Sequence, residues 1–292
     1  MSKMFPIKQK HLQKLFLSIS LILQVATCSD DGEPAPRIID GTKVPIGKYP
    51  WFARATIDDK DNWAGCGGSL VSPSFVLTAA HCIDSDFKKN GGYVIGSLCY
   101  GNGDSNNDNC GQSPDEYRTV DWYWIDPEYG SGGNSEDYDY ALIRLNKPVT
   151  NIDPVIMNEE SDIPQQGQDV TTMGFGRTTN NGNGKPSKKL LEVTVSTMSN
   201  KDCKKTMFGS GITDRMVCAE GGNQKDSCSG DSGGPLITEN SNSVKLVGIT
   251  SWGGQKCADK KAPGVSVFHV CTTFCFTSFF FFISYIFPIS IF

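Results

Sequence analysis

The chain has 292 residues, of which 38% are hydrophobic, and it carries a formal net charge of −5 at pH 7. A chain of this length can bury a sizeable core in one large or two small domains, and its acidic balance argues against the basic surface of a nucleic-acid-binding protein. The 31 glycines and 15 prolines favour a turn-rich β protein over a helical one.

The first 28 residues are organised like a secretory signal peptide. Lysines precede an apolar run from Leu15 to Val25, and small residues follow it up to Cys28. The apolar run is short for a bilayer-spanning helix, which disfavours the alternative of a signal anchor. The chain contains 11 cysteines, a number typical of an oxidising compartment. We therefore expect a secreted, extracellular protein.

Residues 29–37 are polar and proline-rich, and they end in Arg37 directly before Ile38. A basic residue in a flexible segment, followed by a small apolar run, is an accessible site for proteolytic cleavage. The sequence thus indicates an activation propeptide over residues 29–37, with a plain linker as the alternative.

Short apolar or alternating runs separated by turn residues fill the chain from Tyr49 onward. Strands are predicted at residues 52–57, 68–71, 74–80, 140–145, 170–175, 190–195, 236–238, 244–252 and 264–270. Residues 146–168 suit a connector between two halves, and a short helix is predicted near residues 200–207. Many short strands at this spacing predict an all-β fold, either a sandwich or a pair of barrels.

The segment Gly230–Pro235 has the composition of a catalytic turn. A serine hydroxyl is a poor nucleophile at neutral pH, so a catalytic serine needs a base and a site for the oxyanion. Glycines let the main chain turn tightly, and two N–H groups, those of Gly230 and Ser232, could then donate to one oxygen. A glycine-rich turn between strands is the alternative for this segment alone.

A base for this serine must come from a small set of residues. The chain has 3 histidines, of which His11 lies in the signal peptide and His269 near the C-terminus. A lone histidine is more often structural than catalytic. His81 is nevertheless the natural choice for a general base near pH 7.

Three motifs in a fixed order resemble the trypsin/chymotrypsin family of serine endopeptidases, namely Thr78–Cys82, Asp139–Ile143 and Gly230–Pro235. The resemblance covers about Ile38 to Val267, and three ordered motifs are far more specific than any one of them. It implies two antiparallel six-stranded β-barrels with the active site between them, in a peptidase domain spanning residues 38–270. It implies no cofactor and no metal.

The same resemblance implies a role for each catalytic residue. His81 is the general base, Asp139 holds the imidazole in the right tautomer, and Ser232 is the nucleophile. Gly230 and Ser232 donate the oxyanion hydrogen bonds. Asp137 is expected to face the same side of a strand as Asp139.

The resemblance implies that substrate choice depends on Asp226, which matches the family's pocket floor, with a surface aspartate as the alternative. A carboxylate there prefers Arg or Lys side chains, so proteins or peptides with these residues at the cleaved position are the implied partners, together with protein inhibitors. Ser266 stands where the family usually has a tyrosine. The resemblance also implies substrate contacts by Ser251, Trp252, Gly253 and Gly264.

Activation is implied as well. In the family, a cut before the peptidase domain frees an ammonium group that pairs with the aspartate preceding the nucleophile. Here the cut would separate Arg37 from Ile38, and Asp231 would receive the new N-terminus. The chain would thus be a zymogen, and it could activate itself because Arg37 is a tryptic site.

Family spacing also implies disulfides. The implied pairs are Cys66–Cys82, Cys203–Cys218 and Cys228–Cys257. Cys99 and Cys110 flank a polar excursion, where a local bridge is expected. Within this excursion, the run Asp104–Asp108 has alternating oxygen ligands, as calcium loops do. It lacks the usual glycine and flanking helices, so a solvated loop is favoured.

The C-terminal tail, residues 271–292, departs from the family, which ends in an amphipathic helix. From Val265 to Phe292 the sequence has no Asp, Glu, Lys or Arg. A membrane anchor is one interpretation, while a GPI signal lacks its polar spacer. A tail that is not native coding sequence is favoured. A membrane-tethered protease and a non-catalytic binding homologue are the alternatives for the whole protein.

Overall fold

The computed structural model describes residue 38 and residues 41–58, 62–99, 115–131, 135–179, 184–220, 225–240, 243–259 and 261–267. Several predicted features lie outside the described residues. They are the signal peptide, the propeptide with Arg37, the Asp104–Asp108 run, Cys110 and the tail over residues 271–292. Every helix within the described ranges is too short or too polar to cross a lipid bilayer.

Short strands dominate the described part of the chain. In chain order they are β1 (Thr42–Lys43), β2 (Phe52–Ile57), β3 (Trp63–Ser72), β4 (Phe75–Thr78), β5 (Gly91–Ile95), β6 (Glu116–Ile125), β7 (Ala141–Leu145), β8 (Ile156–Met157), β9 (Asp169–Gly174), β10 (Leu191–Met198), β11 (Met216–Glu220), β12 (Pro235–Asn240), β13 (Ser243–Trp252) and β14 (Gly264–Val267). Two short α-helices, α1 (Ser85–Asn90) and α2 (Asn200–Cys203), begin at side-chain caps provided by Asp84 and Ser199. The prediction of an all-β fold is confirmed.

The first barrel contains strands β2 to β7, closed in the order β2-β3-β4-β7-β6-β5. Every pair in it is antiparallel. Residues of β2 and β5 are almost all buried, because the barrel closes around one face and neighbouring elements cover the other. Helix α1 follows β4 and buries Phe87 against Tyr93, with the ring centroids 5.6 Å apart.

The second barrel closes in the order β9-β10-β11-β14-β13-β12, with β12 pairing back onto β9. β1 pairs with the first residues of β10, and β8 runs parallel to β13. β14 joins β11 to β13, so residues 264–267 are needed to close the barrel. The prediction of two antiparallel six-stranded barrels is therefore confirmed.

The two barrels share an apolar core. The larger cluster of buried side chains contains residues from both barrels. Phe52 of β2 and Phe175, which follows β9, contact each other with ring centroids 5.9 Å apart. This contact lies at the junction between the two barrels.

Some elements differ from the sequence predictions. β5, β6 and β11 were not predicted, and the helix near residues 200–207 ends at Cys203. The sequence of β6 shows no clear alternation of apolar and polar residues, because nearly all its residues are half-buried. β5 begins with two glycines, of which Gly92 is required by close packing, since a Cβ there would lie 2.8 Å from the Tyr117 ring. Glycine is rare in strands, so local pattern did not indicate this one.

Candidate active site

His81 and Asp139 meet at one end of the first barrel because their strands are neighbours. β4 pairs with β7, with Thr78 opposite Ala141, so the residues after β4 and before β7 lie side by side. Nδ1 of His81 lies 2.7 Å from Oδ2 of Asp139, and the His81 backbone N–H donates to Oδ1 at 2.9 Å. Asp139 is fully buried, whereas the His81 side chain stays partly exposed. A buried carboxylate thus orients an accessible imidazole.

The environment of His81 favours its charged form. Burial by itself lowers the pKa of His81, but the hydrogen bond and the negative charge of Asp139 outweigh it, and the charge of Glu136 adds to them. The pKa of His81 is therefore raised above its ordinary value. An imidazole in this state accepts a proton readily near neutral pH, as a general base must.

Ser251 also contacts Asp139. Its hydroxyl donates a hydrogen bond to Oδ2 of the carboxylate. Ser251 lies in β13 of the second barrel, so this bond crosses from one barrel to the other. The sequence predicts Ser251 only as a substrate-contacting residue. The pair is separated by 112 residues, and no local pattern indicates such a contact.

Asp137 is buried like Asp139, and both precede β7, so they do not share a side of a strand as expected. Its carboxylate accepts hydrogen bonds from Arg215 and Thr213 of the second barrel. Desolvation raises the pKa of Asp137, yet these bonds outweigh it and the pKa is lowered. Tyr138, with φ of 58°, turns the chain between the two aspartates. Asp137 therefore has a different partner from Asp139 and lies outside the His81 pair.

The loop around Ser232 is fixed to the strands that carry His81 and Ser251. The Ser232 carbonyl accepts a hydrogen bond from Gly67, and the Gly233 N–H donates to Thr250 at 2.7 Å. A Cβ at Gly233 would lie 2.3 Å from Oγ1 of Thr78, so the loop packs directly against the end of β4. In the described residues no hydrogen bond joins the Ser232 hydroxyl to His81. Such bonds often tighten only when substrate is bound.

Two amides of this loop point away from the protein's own acceptors. The N–H groups of Asp231, Gly233 and Gly234 donate to backbone carbonyls. Within the described ranges, the N–H groups of Gly230 and Ser232 have no such acceptor. Gly230 has φ of 101°, and a Cβ there would lie 2.6 Å from the Trp63 ring. Only glycine fits at position 230, and the resulting turn leaves the amides of Gly230 and Ser232 without a backbone acceptor in the described residues.

Asp226 lies in the same loop and is only 7% exposed. The backbone N–H of Ala258 donates to its Oδ2 at 2.9 Å. Desolvation raises the pKa of Asp226 to about 6, although hydrogen bonds from Ala258 and Ser227 oppose the shift. The alternative of a surface aspartate is therefore wrong. Asp226 is thus a buried carboxylate whose only described partners are hydrogen-bond donors.

Two glycines lie next to this carboxylate. A Cβ at Gly264 would lie 2.7 Å from Oδ1 of Asp226, and one at Gly253 would lie 3.8 Å from the Cα of Gly264. Gly253 and Gly264 are therefore neighbours, and Gly264 packs directly against Asp226. Trp252, at the end of β13, is held by an edge-to-face contact with Phe208 at 4.6 Å between centroids.

Asp231 is completely buried next to the nucleophile loop. Its carboxylate accepts hydrogen bonds from the N–H groups of Gly176 and Cys228, both at 2.8 Å. Desolvation raises the pKa of Asp231 to about 7, and the charge of Asp226 adds to the shift. The Ile38 side chain is also fully buried, in an apolar cluster of the second barrel that contains Leu191.

The trypsin family model matches residues 38–271, most of the chain. The chain belongs to the trypsin family. It is a serine endopeptidase, a hydrolase of peptide bonds in protein substrates. The match begins at Ile38 and includes every site residue described above.

Individual members of the trypsin family show the same likeness. Trypsin 5G1 of Aedes aegypti is 36% identical over 236 residues, which cover 78% of this chain and 79% of the relative. CLIP domain-containing serine protease B4 of Anopheles gambiae is 31% identical over 78% of this chain and 66% of its own length. Phenoloxidase-activating factor 1 of Holotrichia diomphalia is 33% identical over 79% of this chain and 66% of its own length. The chain thus spans about two thirds of these last two relatives.

A solved structure of the trypsin family agrees with this assignment. Neuropsin, a serine protease expressed in the limbic system of mouse brain, superposes with a TM-score of 0.70 and is 27% identical in sequence. The superposition covers 83% of this chain and 100% of that structure.

Disulfides brace the loops of this trypsin-family site. The structure joins Cys66 to Cys82, Cys203 to Cys218 and Cys228 to Cys257, the three pairs that the family spacing implies. The bridge at Cys82 holds the turn that carries His81, and the bridge at Cys228 holds the loop between Asp226 and Ser232. Cys99 is also disulfide-bonded, but its partner lies outside the described residues.

Two groups of described side chains have metal-ligand chemistry, but in one of them Cys66 and Cys82 are already joined in a disulfide. Atoms of His81, Glu136 and Asp139 lie within 4.8 Å of one another. Asp139 already accepts three hydrogen bonds, from the His81 backbone, the His81 ring and Ser251. A metal here would have to displace those bonds, so this arrangement fits a proton-transfer pair better than a metal centre. The absence of a metal remains a prediction.

Proposed function

We propose that the protein is a secreted zymogen that, once activated, hydrolyses peptide bonds after Arg or Lys. The observation that carries this proposal is the buried carboxylate of Asp226, six residues before Ser232 and bordered by Gly264. A long side chain that passes beside these glycines would end at the carboxylate, and only a cationic one would compensate the buried negative charge there.

In the proposed mechanism His81 takes the hydroxyl proton of Ser232 as the serine oxygen attacks the scissile carbonyl carbon. Asp139 stabilises the imidazolium that results. The amides of Gly230 and Ser232 donate to the carbonyl oxygen as it becomes negative. His81 then protonates the leaving amine, and a water molecule activated by His81 hydrolyses the acyl-enzyme.

Arg should be preferred over Lys in this pocket. The planar guanidinium can pair with both oxygens of Asp226, whereas the ammonium of Lys is a point charge. An aromatic side chain would leave the carboxylate buried and unpaired. Ser266 lies buried in β14, where the family usually has a tyrosine, and its small volume is expected to blunt the preference.

Activation by cleavage after Arg37 is part of the proposal. The buried Asp231 carboxylate has two backbone donors and a pKa raised to about 7, so a cation beside it would be strongly stabilising. The ammonium group of Ile38 would supply that cation after a cut. We assign residues 1–28 to a signal peptide, residues 29–37 to the propeptide and residues 38–270 to the peptidase domain.

The experiment that tests the function compares kcat/KM on matched peptides with Arg, Lys, Phe or Leu at the cleaved position. Wild-type protein and Asp226→Ser are both activated and compared. We expect cleavage after Arg and Lys in the wild type and loss of that preference in the variant. A wild type that prefers Phe or Leu, or a variant that keeps the Arg preference, would refute the pocket assignment.

A further inference from the structure

Arg215 is a cationic residue of the second barrel to which the mechanism gives no role. Its guanidinium pairs with both oxygens of the Asp137 carboxylate, since Nε donates to Oδ1 at 3.0 Å and Nη2 donates to Oδ2. The Thr213 hydroxyl donates to the same Oδ1 at 3.0 Å. Asp137 is buried and the Arg215 side chain is only partly exposed. A two-pronged pair of this kind fixes direction as well as distance, so it holds Asp137 against the second barrel.

The same guanidinium also contacts Tyr138, the next residue. Its Cζ lies 4.2 Å from the centroid of the Tyr138 ring, within the range of a cation–π interaction. Tyr138 has φ of 58°, a left-handed conformation that residues other than glycine rarely adopt. Such a conformation persists only where the surrounding contacts determine it. Arg215 therefore holds both residues of the turn that leads into Asp139.

The segment that carries Arg215 is itself braced. Arg215 directly precedes β11, which pairs with β10 and β14. The carbonyl of Thr213 accepts hydrogen bonds from the Asn200 side chain at 2.8 Å and from the Met216 N–H at 3.2 Å. The guanidinium thus extends from a fixed part of the second barrel and can position what it contacts.

The turn held by Arg215 determines where Asp139 lies. Tyr138 is the single residue between Asp137 and Asp139, so a shift of the turn would move Asp139 with it. Asp139 accepts hydrogen bonds from the backbone N–H of His81 at 2.9 Å and from its Nδ1 at 2.7 Å. Ser251 contacts only the Asp139 side chain, whereas Arg215 acts on the backbone that carries it.

We propose that Arg215 is a positioning residue for peptide hydrolysis, which holds Asp137 and Tyr138 so that Asp139 stays aligned with His81. In this role Arg215 acts through Asp139 and not on the substrate. The inference rests on the proposed mechanism and adds a requirement to it. The second barrel would then supply the nucleophile and also hold the orienting carboxylate of the first barrel in place.

The test measures kcat and KM of activated full-length Arg215→Met on an Arg peptide. Active sites are counted by titration with a serine-directed reagent, so a partly unfolded sample lowers the count and not kcat per site. We expect kcat to fall about tenfold or more, since a misplacement near 1 Å costs about a hundredfold. KM should stay within about twofold, because Arg215 does not bind substrate. A loss confined to KM would overturn the inference.

A second background separates positioning from general destabilisation. In Asp139→Asn no carboxylate is left to align, so adding Arg215→Met should change kcat by less than about twofold. This non-additivity is the expected sign that the two residues act through one contact. A loss from Arg215→Met that is equally large in both backgrounds would overturn the inference.

Asp137→Asn breaks the pair from the other side and leaves no unpaired buried anion. It should lower kcat about as much as Arg215→Met, and it keeps the test decisive if that variant does not fold. Arg144→Met is the matched control, because it breaks an Arg–Asp pair with Asp121 within the first barrel and should keep kcat.

Unchanged kcat in both Arg215→Met and Asp137→Asn would overturn the inference. The proposed mechanism would survive that result, provided that Asp139→Asn alone lowers kcat by orders of magnitude. If Asp139→Asn keeps full kcat, the proposed mechanism fails and this inference fails with it.

Discussion

The two sides of the catalytic cleft differ in how their buried carboxylates are stabilised. On the first-barrel side, Asp139 accepts hydrogen bonds from the His81 backbone, the His81 ring and Ser251. On the second-barrel side, Asp226 and Asp231 are also buried, and desolvation raises their pKa values to about 6 and about 7. No salt bridge reaches either of them within the described residues.

The chain itself supplies the partners of the Asp139 carboxylate, whereas a cationic partner for Asp226 and for Asp231 must be added. The first-barrel side is complete, because hydrogen-bond donors from both barrels already pair with the Asp139 carboxylate. On the second-barrel side, the raised pKa values of Asp226 and Asp231 indicate carboxylates that a cation would stabilise. We infer that a substrate side chain supplies one of these cations and a new N-terminus supplies the other, so this side is completed by activation and by substrate.

The largest expected effect comes from removing the nucleophile. Ser232→Ala in the activated protein should lower kcat by about 10⁶-fold, with a residual rate from the oxyanion site and substrate binding. Steady-state kinetics on an Arg peptide measures this loss. Reaction of the wild type with a serine-directed phosphonylating reagent is the control. Retention of most activity in the variant would exclude Ser232 as the nucleophile.

Asp231→Asn breaks the proposed activation contact without touching the substrate. Removing one partner of a buried ion pair costs about 3–5 kcal/mol, so the variant should be cut after Arg37 yet stay largely inactive. N-terminal sequencing of the active wild type should read Ile-Ile-Asp-Gly, beginning at Ile38. Any other N-terminus in the active enzyme, or full activity of the cut variant, contradicts the mechanism.

Gly264→Ala tests the space beside Asp226. The added Cβ would lie 2.7 Å from the carboxylate, so Asp226 must shift, and a shift near 1 Å costs about a hundredfold in kcat/KM on Arg peptides. Gly253→Ala is the comparison, because its Cβ would also lie beside the substrate but would not touch Asp226, with contacts only at 3.8 Å or more, so it should cost less than Gly264→Ala. Equal losses in the two variants would argue against a slot directed at Asp226.

The titration of Asp226 should appear in ligand binding. With a pKa of about 6, its carboxylate is ionised above that pH and protonated below it. Affinity of the activated Ser232→Ala protein for a small amidinium ligand should therefore fall about tenfold from pH 8 to pH 5. Calorimetry measures binding without requiring His81 catalysis. A pH-independent affinity would show that Asp226 does not bind the cation.

Short motifs with a local chemical signature predicted much of the site. They predicted that His81, Asp139 and Ser232 form one site, and the family resemblance that they carry implied Asp226 and the two barrels. The remaining contacts join residues far apart in the chain, such as Ser251 with Asp139, and no local pattern encodes them. The sequence did not predict β6 for a related reason. Nearly all its residues are half-buried, and this burial comes from neighbouring strands that are adjacent only in the closed barrel.

The bonds from Arg215 and Thr213 to Asp137 have a consequence for local unfolding. They fasten the β6–β7 loop of one barrel to the segment before β11 of the other. Segments tied in this way open together as one cooperative unit. Amide hydrogens on both sides of the cleft should then exchange with a common opening free energy, and Asp137→Asn should speed their exchange together while distant strands keep their protection.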